Sequence, residues 1–225
     1  RRLSQPMDRR DAVTVRLYDF WRSSAAYRVR IALNLKGVAY EAIDTSLLHG
    51  EQRAPDYVAR NPQGLVPMLE VGDLRLTQSF AIIEWLDATY AEPRLIPADA
   101  AARSTELAKA MVIAADIHPI NNLRILKYLK NELGQAQAEI DQWARHWIIE
   151  GFTALEAMAE ADQPFLSGDA PGLADVFLVP QMANARRVST PLDAFPTLVA
   201  IDARATALEP FARAHPDAVK PARYD

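Results

Sequence analysis

The hydrophobic pattern of this chain changes period once, and that change limits what the chain can fold into. Over residues 13–90 the period alternates between that of a strand and that of a helix. Val13–Tyr18 reads as a strand and Ala25–Lys36 as a helix, with Ala26, Val29, Ala32 and Leu33 toward one side and Gly37 as its stop. Ala39–Asp44 reads as a second strand, and Pro55–Arg60 as a short helix. Val66–Val71 and Leu74–Leu76 form a pair of short strands joined at Gly72–Asp73, a strong hairpin signal. Gln78–Tyr90 then reads as an amphipathic helix with Ile82, Ile83, Leu86 and Tyr90 inward. The order βαβ, α, ββα predicts a small mixed sheet covered on its faces. After the proline-punctuated stretch 91–99 only helical periodicity remains. Ala101–Lys130 reads as one long helix bent at Pro119, followed by Ile140–Ala161, Leu173–Arg187, Thr197–Leu208 and an irregular end. The expected domains are an α/β unit over 13–90, a linker over 91–99 and an all-α unit over 100–225. Residues 1–12 are set aside as an N-terminal extension.

Composition removes several classes of function. Half of the 225 residues are hydrophobic, 24% are charged, and the net charge is −4, which fits a globular protein without a general nucleic-acid surface. The apolar runs are broken by charge before membrane-spanning length, and no secretory signal is read at the start. A cytoplasmic protein with no membrane or nucleic-acid partner is expected. The chain contains no cysteine. Disulfides, thiolate metal sites and a thiol nucleophile of its own are therefore excluded, so any sulfur chemistry must use a small molecule. His49, His118, His146 and His215 lack metal-ligand spacing, and no metal is expected.

The run RSSAAYRVRIAL at 22–33 places Ser23 and Ser24 at the start of the first helix, beside Arg22. Serine is a strong N-cap, and a helix N-terminus carries free N–H groups and partial positive charge suited to an anion. An ordinary capped helix would read the same way.

Further segments carry a resemblance. Residues 23–33 read Ser-Ser-Ala-Ala-Tyr-Arg-Val-Arg-Ile-Ala-Leu, close to the zeta-class signature Ser-Ser-Cys-x-Trp-Arg-Val-Arg-Ile-Ala-Leu. NPQGLVP at 61–67, QSFAIIEWL at 78–86, HPINNLRILKYL at 118–129 and LADVFLVPQMANARR at 173–187 follow in order. From about Val13 to about Ala218 the chain resembles the zeta-class glutathione transferases, whose members act as maleylacetoacetate isomerases. The resemblance implies the glutathione transferase fold: a thioredoxin-like α/β N-terminal domain and an all-α C-terminal domain. It also implies glutathione as cofactor, a small dicarboxylate as substrate and a homodimer.

The same resemblance assigns residues. Ser23, with Ser24 as the alternative, would favour the thiolate of glutathione. Gln78 and Ser79 would take its γ-glutamyl carboxylate, and a cis Val66-Pro67 would present the Val66 backbone to the cysteinyl part. Gln52 aligns near the glycyl end. Asn121, with His118 and Asn122 beside it, lies in a segment that in the family reaches toward the glutathione of the other subunit; His118 has packing beside Pro119 as its alternative. Arg22, Arg124 and Arg187 match cations that flank the site, with Arg186 competing for the place of Arg187. Arginine suits this role because its planar fork holds a carboxylate bidentately. The implied reaction is reversible thiolate addition to a cis double bond, with rotation and departure of the sulfur, as in tyrosine and phenylalanine breakdown. Maleylpyruvate isomerisation and general transfer of glutathione to electrophiles such as α-haloacids are the alternatives. Ala25 stands where the signature has cysteine. Gly172 replaces the capping Ser/Thr of the family, with Asp175 still able to reach back to a free N–H.

Overall fold

The computed structural model describes residues 14–225; Val13 and the proposed extension over 1–12 lie outside them. The strands are β1 (Val15–Asp19), β2 (Glu41–Asp44), β3 (Met68–Val71) and β4 (Leu74–Thr77). They form one sheet in the order β2-β1-β3-β4, parallel between β1 and β2 and antiparallel elsewhere. The turn between β3 and β4 has Gly72 at φ 57°, a left-handed value that glycine adopts without steric cost. The helices of this half are α1 (Ser24–Leu35), α2 (Pro55–Val58) and α3 (Ser79–Thr89). The expected mixed sheet and the β3–β4 hairpin are present, with α1 between the parallel strands β1 and β2.

The remainder is helical: α4 (Ala100–Met111), α5 (Leu123–Asn131), α6 (Gln137–Met158), α7 (Leu173–Arg187), α8 (Pro196–Thr206), α9 (Glu209–Ala214) and α10 (Pro216–Val219). The single bent helix expected over Ala101–Lys130 is instead two helices and a π-helical turn at Val112–Ile117. In that turn the His118 N–H donates to the Ile113 carbonyl at 2.9 Å, five residues back. Pro119 has no N–H to continue the ladder, so the chain breaks, and the Asn122 side chain caps α5 by accepting from Ile125 N. The end of the chain also departs from the irregular coil expected. Pro216 opens α10, the His215 side chain caps it, and Ala222–Tyr224 adds a 3-10 turn.

Helix α1 is not a half-exposed amphipathic helix. Every residue from Ala26 to Leu33 is buried, Arg28 and Arg30 included, because α3, α7 and α9 pack around it. Arg30 is held by both oxygens of Asp19 at 2.7 and 2.8 Å and donates to the carbonyls of Ala214 and Trp21. Burial pushes the Asp19 carboxyl up, while the adjoining guanidinium pulls it back. Lys36 closes α1 by donating to Asp87 and to the carbonyls of Tyr90 and Pro93. At the start of α7, Asp175 accepts from Gly172 N, as expected, and also from the N–H groups of Leu166 and Ser167. Gly172 fits its place because a Cβ there would lie 2.6 Å from Ser167 Oγ.

Candidate active site

The two halves meet along a cleft with two adjoining cavities, about 500 Å³ and 460 Å³ in volume. Ala25, Leu65, Val66, His118, Asn122 and Arg124 line both, so the cavities share a wall.

The larger cavity lies against the N-terminus of α1. Ser23 is the N-cap, and its Oγ accepts from Ala26 N at 3.2 Å. That bond uses an oxygen lone pair and leaves the hydroxyl proton free to donate. Ser24 is the first helical residue, and its N–H and that of Ala25 have no protein acceptor among the described residues. Arg22, Arg53, Arg124, Lys127 and Arg187 line this cavity, and no carboxylate does. Arg187 donates to the Arg22 carbonyl at 3.4 Å, and burial together with Arg22 lowers its pKa. Arg186 lines neither cavity and pairs with Asp202 at 2.6 Å. The larger cavity also holds Gln52, whose Oε1 is buried without a partner, and Asn121, whose Nδ2 donates to the Ala144 carbonyl while its Oδ1 has no partner.

The smaller cavity gathers Gln78, Ser79, Asn61, Gln63, Pro67 and Arg28. Helix α3 begins at Ser79, one residue later than the pattern predicts, because Gln78 has φ 68°. A non-glycine residue in that region is uncommon and costs about 1–3 kcal/mol, which the surrounding structure must offset. Gln78 Nε2 donates to Gln63 Oε1 at 2.6 Å. The Val66-Pro67 bond is cis, and the Val66 N–H and carbonyl enter no hydrogen bond among the described residues.

Arg28 is the residue that sequence periodicity missed. It is 2% exposed, lies 4.4 Å over the Phe177 ring and donates to Ser79 Oγ at 3.3 Å. Its Nε and Nη2 have no partner and no carboxylate faces it, so burial lowers its pKa to about 9. A buried cation without a counter-ion is costly to keep, and a ligand anion would remove that cost. Arg53, Lys127 and Asn184 were also missed; each sits on a polar surface pattern that carries no mark of the cleft.

His118 stands on the shared wall. Burial, then Arg28, then Arg187, lowers its pKa to about 3, so the imidazole is neutral. In the unfolded chain it titrates near pH 6.5. Below that value only the unfolded state gains the proton, so stability falls as pH drops from about 6.5 toward 3. A His118→Gln variant is expected to lose less stability than the parent between about pH 6.5 and 4, measured as urea midpoints. Parallel loss in both proteins would contradict the assignment.

Known proteins resemble this chain in sequence and fold. Residues 13–88 match the model of the glutathione S-transferase N-terminal domain. A maleylacetoacetate isomerase of Rhizobium meliloti (strain 1021) is 48% identical over 91% of this chain and 97% of its own length. The holo structure of a maleyl pyruvate isomerase, described as a bacterial glutathione S-transferase in the zeta class, has TM-score 0.89. It is 46% identical, over 91% of this chain and 98% of that one. A maleylacetoacetate isomerase from Anaeromyxobacter dehalogenans 2CP-1, solved with glutathione bound in its active site, has TM-score 0.83. That protein is 42% identical, over 93% of this chain and 98% of its own. With the mixed sheet, the helical second half and the cleft between them, these similarities place the chain in the zeta-class glutathione transferase and maleylacetoacetate isomerase family.

Proposed function

We propose that this protein is a glutathione-dependent cis–trans isomerase that converts maleylacetoacetate to fumarylacetoacetate in tyrosine and phenylalanine breakdown. The observation that carries this reading is a cavity lined by cations and by no carboxylate, set against a helix N-terminus with unpaired amides. The orphaned polar atoms of Arg28, Gln52 and Val66 fit a tripeptide with two carboxylates and a backbone of its own. Glutathione, when bound, supplies the thiol that the chain lacks, for reversible addition to the cis double bond.

The chain's own residues then have distinct tasks. Ser23 donates its hydroxyl proton toward the sulfur, and the amides of Ser24 and Ala25 add positive potential, which together favour the thiolate. Ala25 supplies no thiol, so hydroxyl and helix terminus do this without one. Ser79 and Gln78 take the γ-glutamyl carboxylate, with the Arg28 charge beneath it. Val66, next to Pro67, offers its free N–H and carbonyl to the cysteinyl part, and Gln52 faces the glycyl end. His118 and Asn122 stand on the shared wall, and Asn121 lines the larger cavity. Arg22, Arg124 and Arg187, joined by Arg53 and Lys127, hold the dicarboxylate and the charge that builds on its oxygen during addition. A homodimer working in the cytoplasm belongs to the same reading.

Turnover of maleylacetoacetate and maleylpyruvate, each with and without glutathione, tests it. Faster isomerisation of maleylacetoacetate, and none without glutathione, is expected. Preference for maleylpyruvate moves the assignment to the second substrate, which the likeness to the maleyl pyruvate isomerase structure supports. Isomerisation without glutathione overturns the scheme, because the chain contains no cysteine.

A further inference from the structure

The residues at the chain's C-terminus grip the loop that carries Gln52. Arg223 Nε pairs with Asp44 Oδ2 at 2.5 Å, and its two Nη atoms hold the two oxygens of Glu51 at 3.1 Å each. Glu51 in turn accepts from Ser46 N at 2.6 Å, so one carboxylate ties the tail to both ends of a tight loop. Tyr224 donates to Asp44 Oδ1 at 3.3 Å and packs edge-on against Phe20, with ring centroids 5.8 Å apart. Phe20, Leu47, Gly50, Gln52 and Arg53 all line the larger cavity. Glu51 itself does not; it lies directly between two residues that do. Ser46 is buried and anchors the loop's start by accepting from His49 N and Glu51 N, whereas the 3-10 turn Glu51–Arg53 contains no buried residue and has no side-chain cap.

We propose that Arg223 and Tyr224 are positioning residues for the glycyl end of bound glutathione, acting through the loop at 46–53. This rests on the reading that the cavity takes glutathione with its glycyl end toward Gln52. The fork of Arg223 fixes Glu51 in two directions at once, which a single ion pair does not do. Tyr224 covers the apolar back of Phe20. The tail thus sets the place of Gln52 without touching the ligand.

Equilibrium binding by titration calorimetry, with glutathione and with γ-glutamylcysteine, separates this role from a merely structural one. The dipeptide lacks the glycyl residue and should not sense the loop. In Arg223→Ala the Kd for glutathione is expected to rise about three- to tenfold, with the Kd for γ-glutamylcysteine unchanged. Arg223→Lys, which keeps the charge and loses the fork, should give a smaller rise for glutathione alone. Arg213→Ala removes a comparable exposed pair with Glu209 and serves as the control. A variant that weakens both ligands alike, or neither, overturns the proposal. A parent protein that binds no glutathione would instead overturn the reading of the cavity.

Discussion

Ser23→Ala is expected to lower isomerase turnover at saturating glutathione about 10²–10³-fold, the range for deleting one hydrogen bond to a developing anion in an enclosed site. The loss should shrink as pH rises toward about 8.5, where a free thiol ionises unaided. Ser23 is also the cap of α1, so the alanine variant should lose about 0.5–2 kcal/mol of stability. Ser23→Gly separates the two effects, because glycine at an N-cap costs only a few tenths of a kcal/mol while lacking the hydroxyl. Equal loss of turnover in both variants assigns the effect to the hydroxyl. Ser24→Ala should do far less, since Ser24 lies inside the first turn and not at the cap. Unimpaired turnover in Ser23→Ala would remove this serine from thiol activation.

The second large effect concerns Arg30, which lines neither cavity. Arg30→Met should cost about 3–5 kcal/mol of stability, because it leaves the Asp19 carboxylate buried and unpaired. Asp19 and Arg30 are 6% and 1% exposed, so water cannot replace the lost partner. Removing both charges, as Arg30→Met with Asp19→Leu, should recover part of the loss. Recovery stays incomplete because the carbonyls of Trp21 and Ala214 also lose their donor. Trp21 precedes Arg22 and Ser23, so turnover should fall beyond what unfolding explains. Urea denaturation of the single and double variants checks the stability order. A single variant that loses less than about 1 kcal/mol would contradict the buried-pair account.

Much of the sheet was legible because Gly37 stops α1 ahead of β2 and Gly72 marks the β3–β4 turn, both at positive φ. The helical half was legible as helix but not in its breaks. Pro119 was read as a bend because a kinked helix and a broken one share the same proline; the cap that decides the matter is Asn122, hidden in a polar pair. In the site, Ser23, Gln78, Ser79 and Val66 stood out by motif, and the structure brings them to the walls of one cleft. Arg186 and Arg187 could not be separated by sequence, since adjacent helical residues differ only in which neighbour they meet. Arg28 was invisible for a related reason. A cation in a helical pattern reads as solvent-facing until Phe177, from the other half of the chain, is seen lying under it.

Lys36 ties the end of α1 to Asp87 and to the backbone of the connecting segment, while Asn34 and Arg30 fasten the same helix to Pro210 and Ala214. A cleft between two halves often works as a jaw, with catalysis waiting on a swing about the connection. Here Lys36 fastens the connection to α1, which opposes a swing of the halves about it. The cleft is therefore expected to keep its width when glutathione binds, so that ligand affinity is not spent on drawing the halves together. Small-angle scattering with and without glutathione checks this as an unchanged radius of gyration. Any gating would then fall to side chains and short loops at the rim, which in general rearrange in nanoseconds to microseconds rather than on the slower clock of domain motion.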